Sequence, residues 1–142
     1  MTALVRDAGR ADVASLVKLI RDLGYDVDEE GVSQRLAGLI AEGHPPLVAE
    51  DGRVIGCLTW SLMRVLHRPR PVGRISMLVV EEGLRGQGIG RLLVEAAEER
   101  LRAEGCGLVE VTSNLRRAPA HAFYEHLGYE RTSYRFYRPL AD

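Results

Sequence analysis

The sequence predicts one α/β or α+β layer structure, a mixed sheet with helices on its faces. Three observations carry that expectation. Short β-branched runs alternate with segments of helical apolar spacing, in the order β-α-α-β-β-β-α-β-α-β. Asp51-Gly52 sits between two apolar runs, a strong hairpin signal. The chain has 142 residues, 46% of them hydrophobic, which suits a single domain, residues 1–142, with a core that needs no disulfide or metal.

The elements follow in order. Residues 2–6 read as a short strand. Val13, Leu16, Val17, Ile20 and Leu23 recur at helical spacing, and Gly24 closes that helix. Asp26, Asp28, Glu29 and Glu30 gather where a second helix begins, and Val32, Leu36, Leu39 and Ile40 form its apolar face up to Gly43. Pro45-Pro46 forces an extended chain into residues 47–49 and 54–60, the two arms of the hairpin. A basic loop with His67, Arg68, Pro69, Arg70 and Pro71 leads to a strand over residues 74–80. A glycine-rich turn follows, then a helix over residues 92–103, capped by Gly105, and a strand over residues 108–113. Pro119 opens a short helix that shows Ala120, Phe123 and Leu127 on one face, and Gly128 ends it. Residues 129–139 alternate loosely and read as a last strand.

Charge and composition exclude several classes. The formal net charge is −1, so no basic field recruits nucleic acid or an anionic membrane. No apolar stretch reaches the roughly 18 residues of a membrane span. The first residues, MTALVRDAGRADV, lack the apolar core of a signal peptide. Cys57 and Cys106 make neither a disulfide framework nor a zinc set. The expectation is a reduced, cytoplasmic protein with no metal, no membrane and no nucleic-acid partner.

The most informative stretch is residues 75–91, ISMLVVEEGLRGQGIGR. A strand that feeds a glycine-rich loop into a helix N-terminus presents free N–H groups and the positive dipole end to an anion, so a phosphate or pyrophosphate is expected there. The spacing Gly86-x-Gly88-x-Gly90 is not the dinucleotide fingerprint, and no Gly-Lys-Ser/Thr triplet makes a P-loop. A loop that merely turns a corner is the bland alternative.

Arg85-x-x-Gly88-x-Gly90 does satisfy an Arg/Gln-x-x-Gly-x-Gly/Ala pattern. Asn114 follows the next strand, and Phe123-Tyr124-Glu125-His126-Leu127-Gly128-Tyr129 lies near the C-terminus. With these motifs in this order, nearly the whole chain resembles the GCN5-related N-acetyltransferase (GNAT) superfamily. The resemblance implies a mostly antiparallel mixed sheet in which one parallel strand pair, residues 74–80 and 108–113, splays apart to admit acetyl-CoA. Main-chain groups of Leu78, Val79 and Val80 would pair with the pantetheine arm. Arg85, Gly86, Gln87, Gly88, Ile89, Gly90 and Arg91 would cradle the pyrophosphate, where glycines allow close approach and the arginines add charge-assisted bonds. Asn114 would bond the pantetheine arm, and Arg117, in the usual asparagine position, lies with Arg116 where coenzyme A presents its 3′-phosphate.

The implied reaction is direct acetyl transfer to a primary amine. A phenol with a pKa of about 10 suits protonation of a leaving thiolate whose own pKa is near 8.5. Tyr124 matches the family's tyrosine, with a packing aromatic as the alternative. Many relatives carry a glutamate two to four residues before the strand's last valine, whereas this chain has Ser76, Met77 and Leu78 there. Glu110 on the neighbouring strand is then either the base or the solvated partner of an arginine. Glu81 turns the chain, His67 is a lone loop histidine, and a water chain would also serve.

The acceptor is expected to be a small-molecule or peptide amine. The acidic residues at the second helix would steer a cation, or merely complement the helix dipole. A second class stays open, an acetyl-CoA-binding regulatory or interaction module with little turnover. Tyr134, Phe136 and Tyr137 on the last strand would form an aromatic edge that pairs with a symmetry mate, giving a homodimer.

Overall fold

The structure, a computed structural model, describes residues 2–112 and 118–141. Its contacts gather into two units, Met1–Val111 and Thr112–Asp142. In the first unit β1 (Leu4–Asp7), α1 (Val13–Asp22), α2 (Glu29–Ala41), β2 (Leu47–Glu50), β3 (Val54–Met63), β4 (Val72–Val80), α3 (Ile89–Ala103) and β5 (Leu108–Val111) follow one another, with a 3-10 turn at Arg10–Asp12. The strands form one sheet in chain order. The first three pairings are antiparallel and the fourth, β4 with β5, is parallel. This is the mixed, mostly antiparallel sheet the sequence led us to expect.

The helices form because their apolar residues line one stripe each. Leu16, Val17 and Leu19 of α1 and Val32 and Leu36 of α2 join Val48, Cys57 and Val79 in one buried cluster on a face of the sheet. The acidic stretch before α2 is largely its cap: the Asp28 carboxylate accepts the Gly31 N–H at 2.7 Å, and Glu29 and Glu30 fill the first turn. The hairpin turns at Asp51-Gly52 as expected, through Arg53 as well, whose carbonyl accepts the Asp51 N–H at 2.9 Å.

On the opposite face α3 buries Ile89, Leu93, Val94, Ala97 and Leu101 against β2, β3 and β4. Two glycines in the sheet set how close it comes. A Cβ built on Gly56 would lie 3.1 Å from Leu93 Cδ1, and one on Gly73 would lie 2.7 Å from Leu101 Cδ1. Leu93 and Leu101 are both 0% exposed, so neither has room to retreat.

Polar groups tie the first strand to this frame. The Arg6 guanidinium donates to both Asp12 carboxylate oxygens, at 2.8 and 2.9 Å, and to both Glu50 oxygens at 3.2 Å. The Gly9 N–H donates to Asp12 as well, at 2.8 Å. The hydrogen bond from Arg6 holds the Asp12 carboxyl below the usual carboxylate range against the opposing effect of its burial.

The second unit contains α4 (Ala118–His126), with Pro119 in its first turn, where the missing N–H costs nothing. The Gly128 N–H donates to the Glu125 carbonyl and the Tyr129 N–H to that of Tyr124, both at 3.0 Å, and together they close the helix. One expectation fails here. Residues 130–138 form no strand, and Tyr134, Phe136 and Tyr137 are 85%, 93% and 73% exposed. Alternation makes a strand only where a neighbouring edge satisfies its backbone groups. No strand of the described residues pairs with this segment, so the homodimer expectation loses the strand it rested on.

Two stability measurements test this frame. Gly73→Ala should cost about 1–3 kcal/mol in urea unfolding, because the new methyl overpacks against Leu101. Asp12→Asn should cost a similar ~1–3 kcal/mol at pH 7. A carboxyl whose folded pKa is depressed stabilises fully above its unfolded pKa of about 3.9 and loses that contribution as pH falls through the folded value. The gap between wild type and Asp12→Asn should therefore narrow below about pH 4.

Candidate functional site

The site begins where β4 leaves β5. Among the described residues the parallel ladder runs from Val72↔Leu108 to Ile75↔Val111. On the other side of β4, Thr59 pairs with Met77 while Trp60 pairs with Ile75, so Ser76 is an extra residue, a β-bulge. Its hydroxyl lies 2.7 Å from that of Thr59 and donates to the Thr59 carbonyl at 3.3 Å, which pins the bulge to β3. A bulge bends its strand, and beyond it Met77 to Val80 have β3 on one side and no strand on the other among the described residues.

The register decides which main-chain groups face that open edge. The Glu81 N–H donates to the Ile55 carbonyl at 2.8 Å, and Val80 sits opposite Gly56. Antiparallel alternation then commits the main chain of Val79 to Cys57 and turns the N–H and C=O of Leu78 and Val80 outward. Of the three residues expected to meet the ligand arm, two face the gap and Val79 faces the sheet, with its side chain 3% exposed in the core.

The chain then turns through the glycine loop. Gly86 and Gly88 have φ of +82° and +84°, the left-handed region. A Cβ on either would meet nothing within 4 Å, so backbone conformation rather than packing demands glycine. Gly88 is the N-cap of α3 and provides no side-chain hydrogen bond to the first turn. Helix α3 starts at Ile89, three residues before the expected 92, which places Ile89, Gly90 and Arg91 in its first turn with N–H groups directed out of the helix end. Arg85, Gly86 and Gln87 are exposed. Arg85 has no ion-pair partner among the described residues, whereas Arg91 pairs with Glu95 at 2.8 Å. Glu81 does more than turn the chain, since it pairs with Arg53 across the loop's base.

Glu110 stands opposite Arg74 in the parallel ladder and accepts a hydrogen bond from its guanidinium at 2.9 Å. Glu110 thus has an arginine partner, as one of its two sequence readings expected. Tyr124 lies half-buried in α4 between Phe123 and Tyr129, with ring centroids 5.1 and 5.7 Å away in edge-to-face contact. Asn114, Arg116 and Arg117 lie outside the described residues. His67 is exposed in its loop. Burial pushes the Cys57 thiol up to about 12, which removes it as a nucleophile. Sequence reading missed Arg74 and the polar residues around it; the signal was Thr59, Ser61, Arg74 and Ser76, four polar residues interrupting otherwise apolar strands.

Among the described residues, a strand edge without a β-partner thus leads into a helix N-terminus with no side-chain cap. Residues 14–129 match the sequence profile of the Acetyltransferase (GNAT) family, and the chain belongs to that family. It is 33% identical, over 96% of this chain and 90% of the relative, to an aminoalkylphosphonate N-acetyltransferase of Salmonella typhimurium strain LT2. Among solved structures it superposes with a TM-score of 0.88 on a transcriptional regulator from Bacillus halodurans C-125, 24% identical, covering 98% of this chain and 100% of that one. It superposes at 0.86 on the aminoglycoside N-acetyltransferase AAC(6')-Iy in complex with CoA, 18% identical, covering 99% and 96% of the two chains. No helix of the described residues is long and apolar enough to cross a membrane.

The cap geometry has a direct test. Gly88→Ala must place a side chain in the left-handed region, at a cost of about 1–2 kcal/mol in urea unfolding, and should weaken binding of a CoA thioester measured by calorimetry.

Proposed function

We propose that this chain is a cytoplasmic acetyl-CoA-dependent N-acetyltransferase, one domain over residues 1–142, acting on a small primary amine. The observation that carries the reading is the open edge of β4 running into the uncapped start of α3. The residues fit the carrier. Leu78 and Val80 offer outward N–H and C=O groups to an added strand-like arm, and Gly86 to Arg91 offer N–H groups and the dipole end to a pyrophosphate. Arg85, without an ion-pair partner among the described residues, is available to a phosphate, and Asn114 and Arg117 are proposed to reach the arm and the 3′-phosphate on their motif positions alone.

When bound, acetyl-CoA supplies a thioester carbonyl whose C–S bond breaks as the C–N bond to the amine forms. The Tyr124 phenol donates its proton to the departing sulfur; the support is its place in the Phe-Tyr-x-x-x-Gly-Tyr motif and a pKa class suited to a thiolate. Glu110 takes the proton that the acceptor ammonium sheds to become a nucleophilic amine and passes it to solvent, to which its side chain is 42% exposed; the second proton, shed as the amide forms, restores the Tyr124 phenol. The relative named for aminoalkylphosphonates makes an amine of that kind the first acceptor to try.

Thiol release from acetyl-CoA should rise on adding 2-aminoethylphosphonate or another small primary amine. Tyr124→Phe should lower kcat by about 10²-fold or more with acetyl-CoA affinity little changed. Tight acetyl-CoA binding with no acceptor-dependent release across a panel of amines would make the chain a binding module instead, and unchanged turnover in Tyr124→Phe would retire the phenol's role.

A further inference from the structure

The face of the sheet that carries α1 and α2 changes character along its strands. On β3 the residues Cys57, Thr59 and Ser61 share this face by alternation, and Val79, Met77 and Arg74 of β4 stand opposite them. Cys57 and Val79 belong to the buried cluster under the two helices, and Met77 packs at its edge. Beyond Met77 the same face turns polar at Thr59, Ser61, Arg74, Ser76 and Glu110, none of which is buried. The opposite face stays apolar over the same length, with Leu58, Trp60 and Ile75 0%, 4% and 1% exposed. Ordinary amphipathicity would fill this strip with charges facing bulk water at random. Instead it holds hydroxyls around one directly paired guanidinium and carboxylate.

That pair is Arg74 and Glu110, register partners on the two strands that part. The guanidinium is 30% and the carboxylate 42% exposed, so both are reachable. Their bond engages Oε1 of Glu110, and Oε2 has no hydrogen-bond partner among the described residues. An exposed cross-strand pair stabilises a fold little, which leaves its placement in need of another reason. Arg74 lies two residues before the bulge, a distance of roughly 7 Å along a strand, and so at the mouth of the gap.

We propose that the Arg74–Glu110 pair selects the acceptor: it recognises a small amine whose far end carries an oxyanion, a phosphonate or a carboxylate. Glu110 receives the ammonium and Arg74 the oxyanion, so a zwitterion lies antiparallel to the protein's own ion pair. A guanidinium suits this task because it carries five N–H donors in a planar fork that matches an oxyanion. This inference rests on the acetyltransferase reading and adds to it the class of acceptor and the residue that chooses it.

The test compares 2-aminoethylphosphonate, β-alanine and the uncharged 3-aminopropan-1-ol as acceptors for wild type, Arg74→Gln and Arg74→Lys. In wild type at least one acid should exceed the alcohol in kcat/KM, and the larger ratio names the preferred acid. Arg74→Gln should lower that ratio by at least ~tenfold, and Arg74→Lys, which keeps charge but loses the fork, should fall between. An acid-to-alcohol ratio unchanged in Arg74→Gln would overturn the proposal, as would a wild type that prefers the alcohol. If wild type acetylates no amine, the acetyltransferase reading fails by itself. Calorimetric titration of 2-aminoethylphosphonate into wild type and Arg74→Gln then decides the pair: weaker binding by the variant supports it, and equal or absent binding overturns it.

Discussion

The single extra residue at Ser76 is the constraint on which the rest of the site depends. Strand side chains alternate faces with a period of two, so one inserted residue resets which face every later residue meets. Before the bulge Arg74 points to the α1/α2 face and Ile75 to the α3 face. After it Met77 and Val79 return to the α1/α2 face, and Leu78 and Val80 to the α3 face. Without the insertion Val79 would leave the core cluster, or Arg74 would be driven under α3. The bulge thus lets a polar strip and an apolar core occupy successive stretches of one face. It directly follows Ile75, the last residue of β4 paired with β5 among the described residues.

The second half of the site is aimed by packing rather than by local sequence. Helix α3 can point its N-terminus at the end of β4 only if its axis lies close to the sheet, and Gly56 and Gly73 provide the clearance for Leu93 and Leu101. The Glu81–Ile55 hydrogen bond and the Arg53–Glu81 ion pair hold the near end of the loop to β3. The loop is therefore fixed at both ends while its middle, Arg85 to Gly88, is exposed. That arrangement suits a loop preorganised for a ligand, since little ordering entropy remains to be lost on binding.

Much of this was legible in the sequence, and the parts that were not share a cause. Helix stripes, the Asp51-Gly52 turn and the glycine loop are local patterns, readable from residues close in the chain. The start of α3 was misplaced by three residues because the cap depends on the positive φ of Gly88, which no apolar period reports. Ser76 has no signature as a bulge; its register appears only when β3 is aligned against β4. The pairing of Glu110 with Arg74 joins residues 36 apart in sequence, and only strand order brings them together. The expected strand over residues 130–138 is absent, since alternation describes a segment and does not by itself supply the partner a strand needs.

The charge layout bears on how a chain of net charge −1 would hold the proposed polyanionic carrier. Its acidic run before α2 is engaged at the helix start through Asp28, and Arg91, in the first turn of α3, is tied to Glu95. Among the described residues, the loop thus presents main-chain N–H groups, a helix end without a side-chain cap and the guanidinium of Arg85, which has no ion-pair partner there. Backbone dipoles act over the first turn only, so they reward an anion seated in the loop and attract little from a distance. Such a site gains selectivity for a ligand that fits over one that is merely negative. The same logic extends to the proposed acceptor strip, where Arg74 is balanced by Glu110: a bare anion meets a carboxylate beside the guanidinium, and a bare cation meets the guanidinium beside the carboxylate. A molecule carrying both charges at matching separation satisfies the pair without leaving either group opposed.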